Sequence, residues 1–135
     1  MIRACAAVFF GLIVWAVCAT GLDYLLRLGL PGYAAAEPHL HFTLTMMIAR
    51  LALPGAIPSV VAGFITGWIA RGDRRSVAVL AIVLVAVFLP AHYHVWAEFP
   101  LWYHATFFGS LVLLTVLGAR LGDFPAQRES AASPG

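Results

Sequence analysis

The sequence has little charge and contains no lysine. Only 10% of its 135 residues are charged, and all eight basic residues are arginines. A soluble domain carries about 25% charged residues, so this chain lacks the polar surface that a water-soluble fold requires. Because 62% of the residues are hydrophobic and the mean hydropathy is +0.92, we expect the chain to lie in a lipid bilayer.

Several kinds of functional site are also missing. Cys5 and Cys18 lie in one apolar run, roughly 20 Å apart if it is helical, which is too far for a disulfide. The sequence has no glycine-rich phosphate loop, no GxSxG element and no HExxH motif, so we predict a non-enzymatic protein without catalytic residues. The one basic cluster, at residues 71–75, borders an apolar run, so no nucleic-acid partner is expected.

Four apolar runs are long enough to cross a bilayer, which takes about 20 helical residues. They cover residues 4–22, 51–70, 77–95 and 101–119. We predict an all-α fold, an integral membrane four-helix transmembrane bundle that forms one domain over residues 1–122. The small and polar residues 123–135 are predicted to be a disordered cytoplasmic tail.

The second run is longer than a bilayer requires if its helix begins near His39. Pro54 and Pro58 lie inside it, and each proline removes a backbone donor and tends to kink a helix. We therefore predict a Pro-kinked second helix whose first part, residues 39–50, extends beyond the outer interface. Glycine and proline residues mark 23–38 as a loop.

The arginines predict the orientation, because cytoplasmic loops carry an excess of basic residues. Six of the eight lie near the chain ends or between the second and third runs: Arg3, Arg71, Arg74, Arg75, Arg120 and Arg128. Arg27 and Arg50 fall on the other side. We predict cytoplasmic N- and C-termini in a bacterial inner membrane. The alternative is that the first run is a cleaved signal peptide, which leaves three spans and an outer N-terminus.

Small residues recur along one face of the second span, at spacings of three and four. They are Ala52, Ala56, Ser59, Gly63, Gly67 and Ala70. Helices in lipid associate through close backbone contact between small residues, so this face predicts packing inside the bundle. The alternative is a docking face for a homo-oligomer or a larger membrane complex. The fourth span has a weaker version, made of Ala105, Thr106, Gly109 and Ser110.

All five histidines fall on the outer side of the predicted topology. Together with a nearby glutamate they form a candidate site for a divalent metal or haem, because imidazole is the commonest metal ligand. The candidates are His39, His41, His92, His94, His104 and Glu98. His92 and His94 lie about 200° apart on a helix, so they converge only if Pro90 ends it. The alternative is an interfacial belt of amphipathic side chains.

Arg50 stands in a hydrophobic stretch near the outer boundary. An arginine in that position is costly unless its guanidinium reaches the headgroups or a carboxylate. Because Arg50 lies at the outer boundary, contact with the headgroups is favoured, and the alternative is an ion pair with Asp23 or Glu98 across the bundle. Asp23 and Arg27 are spaced as a helical i,i+4 pair.

These patterns favour a small bacterial inner-membrane protein that is an accessory, assembly or stabilising subunit and acts through helix packing. The alternative is a metal- or haem-binding membrane protein that uses the outer histidines. A third hypothesis is a small oligomeric transporter, which the absence of ionisable residues from the middle of the spans disfavours.

Overall fold

A computed structural model describes residues 1–132 of the chain, with side chains through Asp123, and this part is helical without strands. The elements are α1 Ile2–Gly29, α2 Tyr33–Ala36, α3 Leu44–Arg50, α4 Ile57–Ala70, α5 Arg74–His94 and α6 Leu101–Ala132, with a 3-10 turn at Glu37–His39 and a π-helical segment at Leu51–Ala56. Four stretches are long and apolar enough to cross a membrane: Ile2–Gly29, Leu44–Ala70, Arg74–His94 and Leu101–Asp123. The prediction of a helical fold with four helices long and apolar enough to span a membrane is confirmed for the described residues.

The ends of the helices differ from the predicted spans. The first helix continues to Gly29 rather than ending at residue 22, because Asp23 pairs with Arg27 one turn later and keeps this polar turn helical. The second begins at Leu44 rather than near His39. Its start is fixed by the Thr43 hydroxyl, which accepts a hydrogen bond from the Met46 amide at 3.3 Å.

The last helix also extends beyond the predicted span. Its backbone is helical through Ala132, in a segment where the sequence was expected to be disordered. Residues 126–129 are alanine, glutamine, arginine and glutamate, which all favour helix and explain the extension. Residues 133–135 of the predicted tail lie outside the described part of the chain.

The four long helices alternate in direction, so Arg3 of α1 and Asp123 of α6 lie at the same end of the bundle. There the Arg3 Nε donates to the Ile69 carbonyl at 2.7 Å, and Gly72 lies near the Asp123 carboxylate. We call this the termini end. The opposite end, which we call the loop end, holds residues 30–43 and 95–100.

Helix α4 packs on α1 and α6 through residues without bulky side chains. Gly63 and Gly67 face the backbone of Thr115 and Ala119, and an added methyl group at either glycine would overlap that backbone. On the α1 side, the Thr66 hydroxyl donates to the Ala7 carbonyl at 3.2 Å. The contact between α4 and α6 is therefore a close backbone approach of the kind that holds helices together in lipid.

The predicted small-residue face takes part in this packing over most of its length. Ser59, Gly63, Gly67 and Ala70 are buried, Ala56 is half-buried and Ala52 is exposed. Of the small residues noted on the fourth span, Ala105, Thr106 and Gly109 are exposed, and α6 packs on α4 through a second glycine pair instead. Gly118 and Gly122 approach the Val60 and Phe64 backbone. Their GxxxG spacing was present in the sequence and could have identified them.

The helix between α3 and α4 widens at Pro54. In this π-helical segment the Ile57 amide donates to the Ala52 carbonyl, five residues earlier. A proline has no N–H, and its ring clashes with the carbonyl four residues before it in a regular α-helix. The wider turn accommodates Pro54, and π-helical turns inside α-helices are frequent at functional sites.

Candidate functional site

A cavity of about 460 Å³ lies between the four long helices in the half of the bundle nearer the loop end. Its volume is in the range of small-molecule sites, which are about 300–1,000 Å³. All four spans contribute to its wall, the second through Arg50 of α3 and through Pro54 and Gly55 of the π-helical segment, and Leu40 and Phe99 line it from the loops. The cavity is therefore a product of the whole fold rather than of one motif.

The lining changes from charged to aromatic along the cavity. On α1, Trp15, Ala19, Asp23 and Arg27 line it at intervals of four residues, so they share one helical face. Trp15 and Arg27 are separated by about 18 Å of helix. The charged residues Asp23, Arg27 and Arg50 lie toward the loop end, whereas Trp15, Phe88 and Phe107 line the deep part.

The deep wall is held by hydrogen bonds around Ser59. The Trp15 indole Nε1 donates to the Ser59 hydroxyl at 3.1 Å, and that hydroxyl donates to the Gly55 carbonyl at 2.8 Å. Phe88 packs against Trp15 and Phe107, with ring centroids 4.6 Å and 5.4 Å away. Because the buried polar atoms of Trp15 and Ser59 are paired with each other and with the backbone, this part of the wall presents mainly apolar surface to the cavity.

The charged end of the cavity is built around Arg27. Its Nε donates to Asp23 at 3.1 Å and its Nη2 donates to Glu37 at 2.7 Å. The second oxygen of Asp23 accepts a hydrogen bond from the Tyr33 hydroxyl at 2.9 Å. Burial raises the pKa of the Tyr33 phenol, and positive Arg50 only partly opposes this effect, so the hydroxyl keeps its proton and donates.

Arg50 is connected to Asp23 through Tyr33 and not by a direct ion pair. The Arg50 Nη1 donates to the Tyr33 hydroxyl at 3.3 Å, and the guanidinium lies 5.2 Å from the centre of the Phe42 ring. Among the described side chains, ion pairs within 4.0 Å form only at Arg27. Tyr33, which sequence reasoning missed, occupies the space between the two predicted partners.

Two of the predicted histidines meet beside the cavity. The Nδ1 atoms of His92 and His104 are 2.7 Å apart, so one ring donates and the other accepts. His92 is 8% exposed and His104 is 1% exposed. The Trp96 ring stacks on the His104 ring, with a centroid distance of 4.4 Å and an interplanar angle of 10°. Since Nδ1 of His92 is engaged by His104, Nε2 is its free nitrogen, and His92 lines the cavity.

The six predicted metal ligands do not come together. His39, His41, His94 and Glu98 are exposed, and no group of three or more histidine, cysteine or acidic side chains in the described residues is arranged to hold a metal ion. The physical reason is that α5 continues through Pro90 to His94. The helix therefore turns His92 inward and His94 outward, and only the His92–His104 pair forms.

The charged and histidine residues were visible in the sequence, but their arrangement was not. Tyr33 belongs to a segment predicted to be a loop, and nothing in its neighbourhood marked it as a buried bridge. The aromatic wall combines residues from α1, α5 and α6 that lie far apart along the chain.

Comparison with known proteins adds no further assignment. No protein-family model, curated protein or solved structure matches the chain. The cavity and its lining are therefore the features from which a function can be argued.

Proposed function

We propose that the protein is a bacterial inner-membrane protein with both termini in the cytoplasm. The proposal is supported by the arginines at the termini end, which are Arg3, Arg71, Arg74, Arg75 and Arg120. Arg27 and Arg50 are the basic residues toward the loop end. An excess of arginine is typical of the cytoplasmic side, so the loop end, with the charged part of the cavity, faces the periplasm.

The same orientation places the start of the second helix at the outer interface. In the proposed arrangement the helix bends at Pro54, and α3 lies against the headgroups rather than across the bilayer. The widened turn at Leu51–Ala56 supports this bend, since prolines and π-helical turns are the usual causes of a kink.

The first helix is retained in the proposed protein. It supplies Trp15 and Asp23 to the cavity and accepts the Thr66 hydrogen bond at Ala7. If the first run were cleaved as a signal peptide near Cys18, the protein would lose Trp15 from the cavity wall. The side of α4 that packs on α1 would then be exposed. The packing thus favours four spans over three.

We infer that the function is the binding of a small amphipathic molecule in the cavity. The observation that carries the proposal is the graded lining, with charged groups toward the loop end and Trp15, Phe88 and Phe107 at depth. A molecule with a polar head and an apolar tail satisfies both parts of such a wall. The protein then acts non-enzymatically, as an accessory protein that holds or presents its ligand.

In this proposal the accessory role depends on the cavity and not on the small-residue face of the second span. Gly63 and Gly67 pack against α6, and Gly118 and Gly122 pack against α4. Neither glycine pair is free to dock another protein. A partner subunit would therefore have to contact the lipid-facing side chains.

The proposal can be tested by fluorescence quenching in phospholipid nanodiscs. A variant whose only tryptophan is Trp15 is made by changing Trp68, Trp96 and Trp102 to phenylalanine. Single-tailed amphiphiles with bromine near the tail end should quench Trp15 in a saturable way. Filling the cavity with Ala91→Phe should abolish this quenching, because Ala91 lines the cavity.

The matched control is Ala86→Phe, which changes an exposed alanine on the same helix that does not line the cavity. Equal saturable quenching in both alanine variants would contradict the proposal. Mass spectrometry of organic extracts from the purified protein identifies any natural ligand. Metal analysis and an absorbance spectrum of the same sample test the metal and haem alternative.

A further inference from the structure

We infer that the polar head of the ligand is an oxyanion, a carboxylate or a phosphate, and that Arg50 binds it. The inference rests on the proposed ligand-binding function of the cavity. It assigns to Arg50 the role of the head-group residue, and it defines the ligand as a single-tailed, negatively charged amphiphile.

The charges at the loop end are unevenly paired. The carboxylates of Asp23 and Glu37 are bound by Arg27, at 3.1 Å and 2.7 Å, and Glu98 is exposed. Asp23 also receives the Tyr33 hydroxyl at 2.9 Å. No carboxylate of the described residues lies within 4.0 Å of a nitrogen of Arg50. Arg50 is thus the cavity-lining charge without an opposite charge in contact.

The Arg50 side chain is largely removed from water. Arg50 is half-buried, lines the cavity and lies against the face of Phe42. A cation removed from water in a membrane protein is costly unless an anion or strong acceptors receive it. Its side-chain acceptors in the described structure are two phenols, the Tyr33 hydroxyl at 3.3 Å and the Tyr103 hydroxyl. A neutral phenol only partly offsets the lost hydration.

Arg50 has more hydrogen-bond donors than its neighbours use. A guanidinium has five N–H donors in a planar fork, and its side-chain partners are the hydroxyls of Tyr33 and Tyr103. Tyr33 is itself held by Asp23, so the phenol fixes the guanidinium, and two phenols cannot use all five donors. A planar fork with free donors binds a carboxylate or phosphate through two parallel hydrogen bonds.

The rival assignment is a cationic head bound by Asp23. Asp23 lines the same cavity, but one of its oxygens contacts Arg27 and the other contacts Tyr33. Its charge is therefore already offset by an arginine. A cation in this position would also face Arg27 and Arg50, which repel it.

The length of the cavity explains why one tail suffices. From the level of Asp23 to that of Trp15, eight residues of helix span about 12 Å, and aromatic rings line the deeper part. A head at Arg50 places an apolar tail toward Trp15, Phe88 and Phe107. The same geometry makes quenching of Trp15 a direct report of where the tail lies.

The test compares three probes that share one bromine-labelled twelve-carbon tail and carry a carboxylate, a phosphate or a hydroxyl group. All are titrated into nanodiscs of neutral phospholipid containing the single-tryptophan protein, above pH 8, where the carboxylate is ionised. At least one anionic probe should bind the unaltered cavity about tenfold or more tightly than the alcohol, as expected of charge-assisted hydrogen bonds. The Arg50→Gln variant should lose this preference and retain the binding of the alcohol.

Arg50→Lys keeps the positive charge and should retain part of the preference for the anion. Arg74→Gln removes an exposed arginine at the termini end and should leave all three affinities unchanged. Preference for the carboxylate alone indicates a fatty-acid-like ligand, whereas equal or tighter binding of the phosphate indicates a lysolipid-like one. Either result supports the oxyanion site.

Two outcomes overturn the proposals separately. Equal saturable binding of all three probes, with no change in Arg50→Gln, refutes the oxyanion site but leaves the ligand cavity in place. Absence of saturable binding of every probe refutes the ligand cavity itself. If Arg50→Gln does not fold, the preference for anionic probes in the unaltered cavity and in Arg50→Lys still decides the question.

Discussion

Tyr33 arranges the charges at the loop end of the bundle. Its hydroxyl donates to Asp23 at 2.9 Å and accepts from Arg50 at 3.3 Å, and its side chain is 0% exposed. A phenol can serve both neighbours because its oxygen is at once a donor and an acceptor. Tyr33 therefore separates Arg50 from Asp23 while keeping both in place.

Tyr33→Phe should destabilise the protein by about 1–3 kcal/mol, because two charged side chains each lose one hydrogen bond. Reversible unfolding by sodium dodecyl sulfate in mixed micelles measures the loss. Tyr24→Phe is the matched control, since Tyr24 is 60% exposed, and it should change stability by less than about 0.5 kcal/mol. Equal effects of the two changes would show that the Tyr33 bridge contributes nothing.

The histidine pair gives a second contrast between neighbouring residues. His92→Ala removes a buried ring whose centroid lies 4.3 Å from that of Phe107. It also leaves His104 Nδ1 without its hydrogen-bond partner. We expect a loss of about 2–4 kcal/mol in the free energy of unfolding. His94 is exposed, and His94→Ala should be nearly neutral. A reversed order would mean that α5 does not continue past Pro90 as described.

These residues show how far side-chain roles can be predicted from sequence. The sequence positions of the four spans are enough to predict that the histidines lie at one end of the bundle. Choosing His92 over His94 needs the rotation of α5 after Pro90, because two residues along a helix reverse the face. That rotation depends on the packing of Phe107 and Tyr103 against His92, which is information from another helix.

At the level of helices, the contact between α4 and α6 depends on four glycines. A methyl group at Gly118 would overlap the Val60 backbone, whereas a methyl group at Gly109 of the same helix meets nothing within 4 Å. Gly118→Ala should therefore cost about 1–3 kcal/mol through overpacking. Gly109→Ala should be neutral or stabilise by up to about 1 kcal/mol through helix propensity.

Both alanine variants can be compared by thermal unfolding in a mild detergent. The expected result is a lower midpoint temperature for Gly118→Ala and an equal or higher one for Gly109→Ala. A stable Gly118→Ala variant would contradict the close approach of the two helix backbones.

The start of α5 gives a pH-dependent prediction. The Asp73 carboxylate accepts hydrogen bonds from the Ser76 hydroxyl and the Arg75 amide, and these bonds lower its pKa below the usual range. A lowered pKa in the folded state means that the stabilisation is present above the unfolded-state pKa. It is lost as the pH falls through the lower, folded-state pKa.

Asp73→Ala should accordingly lower the thermal midpoint at pH 7, and the difference from the unaltered protein should shrink below about pH 4. Asp73→Asn keeps an oxygen acceptor at the cap without the charge. It should be less damaging at pH 7 and should show no such pH dependence. A constant difference between Asp73→Ala and the unaltered protein from pH 7 to pH 3 would rule out the ionised cap.

Helix identity was predictable because apolar runs of bilayer length have few alternatives. The helix ends were less predictable, since each depends on local polar contacts such as the Asp23–Arg27 pair and the Thr43 cap. The π-helical turn was not predicted either. Pro54 and Pro58 predicted an irregularity in the second helix. A proline lacks the backbone N–H donor, and a helix can accommodate that loss either by a wider π-helical turn or by a bend.

For the whole molecule, the proposed orientation can be measured by labelling with a membrane-impermeant maleimide. The background variant replaces Cys5 and Cys18 with alanine, and one cysteine is then added at an exposed position at each end of the bundle. Ala97→Cys, at the loop end, should react in cells whose outer membrane is permeabilised. Arg74→Cys, at the termini end, should react only after lysis, and its reaction in unlysed cells would invert the proposed topology.

The cavity is a property of the whole molecule and could not be predicted from sequence. Its wall joins Trp15, Arg50, Phe88 and Tyr103, which come from four different spans. No local pattern relates them, because their distances depend on how deeply α4 enters between α1 and α6. Only Gly63 and Gly67 of the glycines that permit this close approach were identified from the sequence. The cavity volume beside them could not be predicted from the sequence.

The central position of α4 has a consequence for biosynthesis. Helix α1 leaves the ribosome first, but the α4 residue that bonds to it, Thr66, follows much later, and the α6 glycines come later still. At roughly 5–20 residues per second, the chain needs several seconds to proceed from α4 to Gly122. During that interval the glycine face of α4 lacks its intended neighbour, so the nascent chain is exposed to mispairing with other helices at the insertion site.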